Sequence, residues 1–228
     1  MSKNRTLNDG FSIVELLVVL VIISVMAGIS GYFFSAHQKL YKPDDQSLKM
    51  VDILQEARQR ALTQRESIRV EINTTLNIAR IIDENSPTTA NDDREIRRIT
   101  LFDSNEVKIT SRPGNISYNP PEPLPAPNAV FMASNYPTSS SQNVCTLRFQ
   151  SNGTVLNAGN DAIGTGSVPT GVTLHIWSLK AGTTNYAETA RSITIIGSSG
   201  SLRFWEFDYN STDSNKWKDS RRTSVYGQ

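Results

Sequence analysis

One carboxylate, Glu15, stands at the head of a long apolar run, and its position asks for a chemical partner. The nineteen residues from Leu16 to Phe34 carry no charge and, glycine and serine aside, are apolar. As a helix they would extend about 28 Å, close to the roughly 30 Å of a bilayer core. An acid at mid-membrane costs about 2.5–3.5 kcal/mol on insertion scales and less near the interface, so a carboxylate kept there needs a cation to face. The other reactive side chains are sparse. His37 follows the apolar run and His175 sits in a strand-like stretch; neither has acids or cysteines at metal-ligand spacing. Cys145 is the only cysteine, which rules out an internal disulfide, and its alternating surroundings (Val144 to Phe149) read as a small buried side chain. Asn160-Asp161 lacks the further carboxylates of a calcium loop. With no phosphate-binding glycine loop, nucleophile elbow or carboxylate pair, the expectation is no enzyme, no catalytic residue, no metal and no cofactor.

The elements that must position Glu15 and the domain behind it follow from pattern. At 228 residues with net charge +1 there is room for one helix-anchored domain and no overall attraction to nucleic acid or acidic membrane. Lys3 and Arg5 precede the span with no early basic cluster after it, which places the N-terminus in the cytoplasm and the domain outside. Pro43 is expected to kink or interrupt the helix. From Gln46 to Glu66 the sequence is amphipathic, with Met50, Val51, Leu54, Ala57, Ala61 and Leu62 at helical spacing. Strands are expected at 67–72, 76–82, 97–102, 107–110, 145–150, 154–156, 172–179, 192–196 and 201–207, with a turn at Ser151-Asn152-Gly153. Six of the ten prolines fall between Pro113 and Pro127, and 113–143 reads as an extended surface insertion. Residues 208–228 read as a polar basic tail.

The N-terminal motif resembles a known signal. A short basic leader, Gly10, then Phe11-Ser12-Ile13-Val14-Glu15 opening an apolar helix is similar to the class III signal of type IV pilins and type II secretion pseudopilins. An ordinary secretory signal would have a shorter apolar core and a small-x-small site after it, for which Ala27-Gly28-Ile29-Ser30 is a poor candidate. The resemblance implies that a prepilin peptidase cuts between Gly10 and Phe11 and N-methylates Phe11, and that Glu15 pairs with the Phe11 ammonium of a neighbouring subunit. Glu56-Ala57-Arg58-Gln59-Arg60-Ala61 and Phe149-x-x-x-Gly153 resemble the GspH/FimT group of minor pilins.

Together these give an α+β expectation with a type IV pilin-like fold: leader 1–10, transmembrane and filament-core helix 11–35, amphipathic continuation 36–66, β-rich domain 67–207 and tail 208–228. The implied function is a minor pilin or pseudopilin. It would sit in a bacterial inner membrane by a single pass, with its domain periplasmic, and then join a filament with other subunits. The alternative is a DNA-binding minor pilin acting in natural transformation. For that role the family's Gly-Arg-x-Arg motif is matched here only at Arg203, within Gly200-Ser201-Leu202-Arg203. The remaining DNA contacts would be Lys216, Trp217, Lys218, Arg221 and Arg222, basic groups around an aromatic ring suited to phosphate contact and stacking.

Overall fold

The computed structural model describes residues 12–84, 92–110, 112–124, 126–134, 136–157, 171–178 and 189–220, with backbone only for 35–40. Helix α1 (Ile13–Gln64) runs for 52 residues. Ser12 caps it: its Oγ accepts from Val14 N–H at 3.3 Å, and its carbonyl accepts from Leu16 N–H at 3.1 Å. Arg65, in the left-handed region at φ 59°, follows its last turn. Pro43 lies inside α1, so the expected interruption is not there. A proline in a helix costs about 3 kcal/mol, and long-range contacts around it offset that. Lys42 Nζ reaches Glu106 at 2.7 Å, Arg191 pairs with Asp44, and Gln46 Oε1 accepts from Phe102 N–H at 2.7 Å.

The chain divides into two units, Met1–Gln38 and Lys39–Gln228. In the second unit the strands form two antiparallel sheets where the sequence suggested one. The first contains β1 (Ile68–Asn73), β2 (Ile78–Asp83), β3 (Arg94–Thr100), β5 (Met132–Ala133), β6 (Asn143–Phe149) and β7 (Val155–Asn157). Its order is β3-β2-β1-β6-β5, with β7 also on β6. The second contains β4 (Lys108–Thr110), β8 (Val172–Trp177), β9 (Arg191–Ile196), β10 (Ser201–Phe207) and β11 (Trp217–Asp219) in the order β11-β10-β9-β8-β4. One core joins them. Met50, Ile53, Leu54, Ala57 and Ala61 of α1 meet Val70 and Leu147 of the first sheet and Leu174 and Ile193 of the second. The amphipathic reading of the helix holds, with Ile53 added to its buried face and Val51 at the margin.

Alternation in β1 puts Ile68, Val70 and Ile72 on the core face and Arg69, Glu71 and Asn73 on the other. The second set is buried too, because that face is roofed by charge pairs and by Tyr136, Thr138, Ser139 and Gln142. Arg69 Nη1 reaches Glu84 Oε1 at 3.0 Å and its Nη2 reaches Asp93 Oδ2 at 2.7 Å, while Arg148 Nη2 donates to Glu84 Oε1 at 2.9 Å. Arg80 Nη2 donates to Glu71 Oε1 at 2.6 Å. Pairing is what makes such burial tolerable, since a lone buried charge is strongly disfavoured.

The insertion 113–143 is therefore not a detached surface loop. Tyr136 is fully buried with the Arg69 guanidinium 3.8 Å from its ring centre, and Ser139 Oγ donates to Glu71 Oε2 at 2.8 Å. Earlier in the segment, half-buried Glu122, its side chain only 3% exposed, accepts from Thr194 Oγ1 and from Trp205 Nε1 (3.1 Å) on the second sheet. Pro127 O accepts from Thr173 N–H at 2.8 Å, and Thr173 O from Ala129 N–H at 2.8 Å. The prolines hold the chain extended while its carbonyls and polar side chains are used by both sheets.

The 208–228 tail reading also changes. Trp217–Asp219 forms β11 on β10, and Trp217 is 3% exposed. Its ring packs 5.1 Å edge-on to Phe207, and its Nε1 donates to Tyr118 O at 3.0 Å.

Candidate functional site at the head of the helix

Glu15 occupies the third helical position after the Ser12 cap, in the first turn of α1, and is exposed. The unbonded N–H groups there leave partial positive charge that favours an anion. The Ser12-x-x-Glu15 spacing is that of a capping box. Behind it, Ile13–Phe34 is long and apolar enough to cross a membrane by length and composition, with mean hydropathy 2.7 and no share buried within the chain. Leu16, Leu20 and Ile23 are each more than half exposed. The site is thus one carboxylate at the end of an uncovered apolar rod. Gly10 and Phe11, the residues at which cleavage and methylation are expected, lie outside the described residues, as does the leader.

The described residues considered for DNA contact lie on or beside the paired strands β10 and β11. Arg203 Nη1 lies 3.2 Å from Glu122 Oε2, Lys218 pairs with Asp213, and Lys216 Nζ donates to Tyr209 O at 3.1 Å. Trp217 is packed in the interior of the second sheet's outer cluster, so its ring offers no stacking face. Arg221 and Arg222 lie outside the described residues.

The other groups with possible chemistry are held inert. Cys145 is 1% exposed, and burial pushes its thiol up to about 12. His175 is fully buried on β8, its Nε2 3.2 Å from Asn128 Oδ1, and burial, with Arg112 adding to it, lowers its pKa to about 3. Among the described residues no group of three or more His, Cys, Asp or Glu is placed to hold a metal ion.

Pattern reading missed a convergence. Arg58 Nε and Nη2 donate to Ser199 O at 3.2 and 3.1 Å, clasping the β9–β10 turn to the helix. In that turn Gly200 has φ +61°, and a Cβ there would sit 2.6 Å from Gly153 O and 3.1 Å from Arg58 Nε. Gly153, at φ +84°, faces Leu62. So the Ala57-Arg58 segment, the Phe149–Gly153 turn and the final hairpin meet at one point. No signal within any one stretch shows that they touch.

Residues 5–31 match the family described as the prokaryotic N-terminal methylation motif. No curated protein matches the chain. Among solved structures, the chain is similar to the type IV minor pilin FimU of Pseudomonas aeruginosa strain PAO1. The identity is 15%, over 75% of this chain and 90% of that one, with a TM-score of 0.38. The chain thus carries the prokaryotic N-terminal methylation motif at the head of a long helix whose first half is apolar, with antiparallel sheets packed on its second half.

Proposed function

We propose that the chain is a minor pilin or pseudopilin, a structural subunit of a type IV pilus or a type II secretion pseudopilus. It is cut by a prepilin peptidase between Gly10 and Phe11 and N-methylated at Phe11. The observation that carries this reading is the methylation motif over residues 5–31, set at the head of an apolar helix that the chain itself leaves uncovered. The helix first holds the protein in the inner membrane and then packs with other subunits. An apolar rod can exchange lipid for neighbouring helices at little cost, whereas Glu15 cannot be left alone in either setting. The ammonium freed at Phe11 of an adjacent copy would supply the opposite charge, and a low-dielectric bundle strengthens that pair.

For DNA capture through the tail, the described residues offer no observation in favour: Trp217 is spent on packing and Lys218 and Arg203 face acids, while Arg221 and Arg222 lie outside the described residues. The test is N-terminal mass spectrometry of membrane-extracted protein from cells with an active prepilin peptidase. An N-methylated Phe11 terminus is expected, with residues 1–10 retained in Gly10→Val. A wild-type chain that keeps Met1 would overturn the reading. Glu15→Gln should be cut normally yet fail to enter filaments; normal incorporation would remove the pairing role.

A further inference from the structure

The turn between β6 and β7 places two groups of the chain so that they can react with each other. Gly153 N–H donates to Gln150 O and Gln150 N–H to Thr154 O, both at 2.9 Å, with Gly153 in the left-handed region at φ 84°. This is a hairpin loop closed by a glycine bulge. Its Asn152-Gly153 step is the only Asn-Gly in the sequence, and Asn152 is exposed. The Asn152 side chain does not extend into water. Its Oδ1 accepts from Thr154 N–H at 2.9 Å and from Thr154 Oγ1 at 2.7 Å. The first of these bonds closes a ring of atoms that contains both the Asn152 amide carbon and the Gly153 nitrogen. Glycine has no Cβ to screen that nitrogen.

We propose that this pair modifies itself, converting the Asn152 amide to a carboxylate with water as the only co-reactant. The Gly153 nitrogen gives up its proton to solvent and attacks the Asn152 amide carbon. A C–N bond forms, the carbonyl electrons move onto Oδ1, and collapse expels Nδ2 as ammonia, leaving a succinimide ring. Water then adds to one of the two ring carbonyls and breaks its bond to nitrogen. That gives aspartate or isoaspartate at position 152 and restores the Gly153 N–H. Thr154 supplies two donors where charge gathers on Oδ1, the arrangement that stabilises a tetrahedral intermediate. Gln150 O holds the proton that Gly153 must lose, which makes the reaction slow. The Gln150 side chain competes too: its Oε1 lies 2.9 Å from the same Thr154 hydroxyl, which has a single proton to give. The result reaches beyond the turn. A Cβ on Gly200 would sit 2.6 Å from Gly153 O, so the two turns meet without slack, and the added backbone methylene of isoaspartate pushes them apart.

The test uses the full chain in detergent, kept folded at mildly alkaline pH and sampled over days by peptide mass spectrometry. Position 152 should exchange its amide for a carboxyl ahead of every other asparagine, with isoaspartate among the products. Thr154→Val removes one donor to Oδ1 and should slow the conversion about fivefold, the worth of one ordinary hydrogen bond. Gln150→Leu leaves the Thr154 hydroxyl only Asn152 to serve and should speed it about twofold. An Asn152 that stays unmodified in the folded chain, conversion only once urea is added, or variants with native circular dichroism and wild-type rates would each overturn the proposal. Modified protein, separated by its added charge, should melt below the unmodified chain; equal melting would overturn the link to Gly200. None of these readouts depends on Gly10, Phe11 or Glu15, so they stand or fall apart from the assembly reading.

Discussion

Removing the buried imidazole should change how the domain responds to acid, and the size of the change follows from its surroundings. His175 is fully buried beside Trp217, its ring centre 5.7 Å from that indole, with Asn128 as its hydrogen-bond partner and Arg112 as the nearby cation. Burial, then Arg112, takes it from 6.5 to about 3, so the folded chain keeps it neutral. As pH falls below 6.5 the unfolded chain binds a proton that the folded chain does not, and stability falls with it until both forms are protonated near pH 3. At about 1.4 kcal/mol per pH unit, lowering the pH from 7 to 5 removes about 2 kcal/mol through this one group. His175→Gln keeps an amide donor for Asn128 and has nothing to titrate. Urea unfolding of both proteins in detergent at the two pH values reads the effect. The wild type should lose about 2 kcal/mol more than the variant over that interval. Asp93, which burial raises despite Arg69, works in the opposite direction, but it is common to both proteins and cancels in the comparison. Equal losses would refute the account, because the imidazole would then be protonated inside the fold or out of it.

Glu84→Ala leaves Arg69 and Arg148 sharing too few acids under the roof of the first sheet, and should cost about 3–5 kcal/mol in urea unfolding. Gly200→Ala places a methyl against Gly153 O in a left-handed conformation and should lower stability by about 1–3 kcal/mol, whereas Ser198→Ala in the same turn should change little. Cys145 should resist a thiol reagent at pH 8 until the chain is unfolded, shown by mass shift with and without denaturant.

Periodicity made the helix and the longer strands legible. Ile68-Arg69-Val70-Glu71-Ile72 and Ser192 to Ile196 alternate cleanly, and the Ser151-Asn152-Gly153 turn falls where glycine's positive φ is needed. Two short strands escaped. Met132–Ala133 has two residues, too few to show a period, and Trp217–Asp219 is hidden by flanking lysines that read as a solvated tail. The roof over the first sheet was illegible for another reason: Arg69 finds Glu84 and Asp93, and Glu71 finds Ser139, only after the chain has folded back on itself. Alternation alone separates two faces, and pairing across that distance makes the charged one dry. Of the head of the helix, the acid and its apolar follower could be read directly, because both are local; the Ser12 cap came from the structure.

Met50, Ile53, Leu54, Ala57 and Ala61 lie inside the core that both sheets share, so the helix is the spindle on which the domain is wound. A fragment beginning at Ser67 would lack that spindle and should be insoluble, while one beginning at Lys39 keeps it. For the same reason a pull on the helix cannot strip the domain away like a bead from a thread: it would have to melt it first.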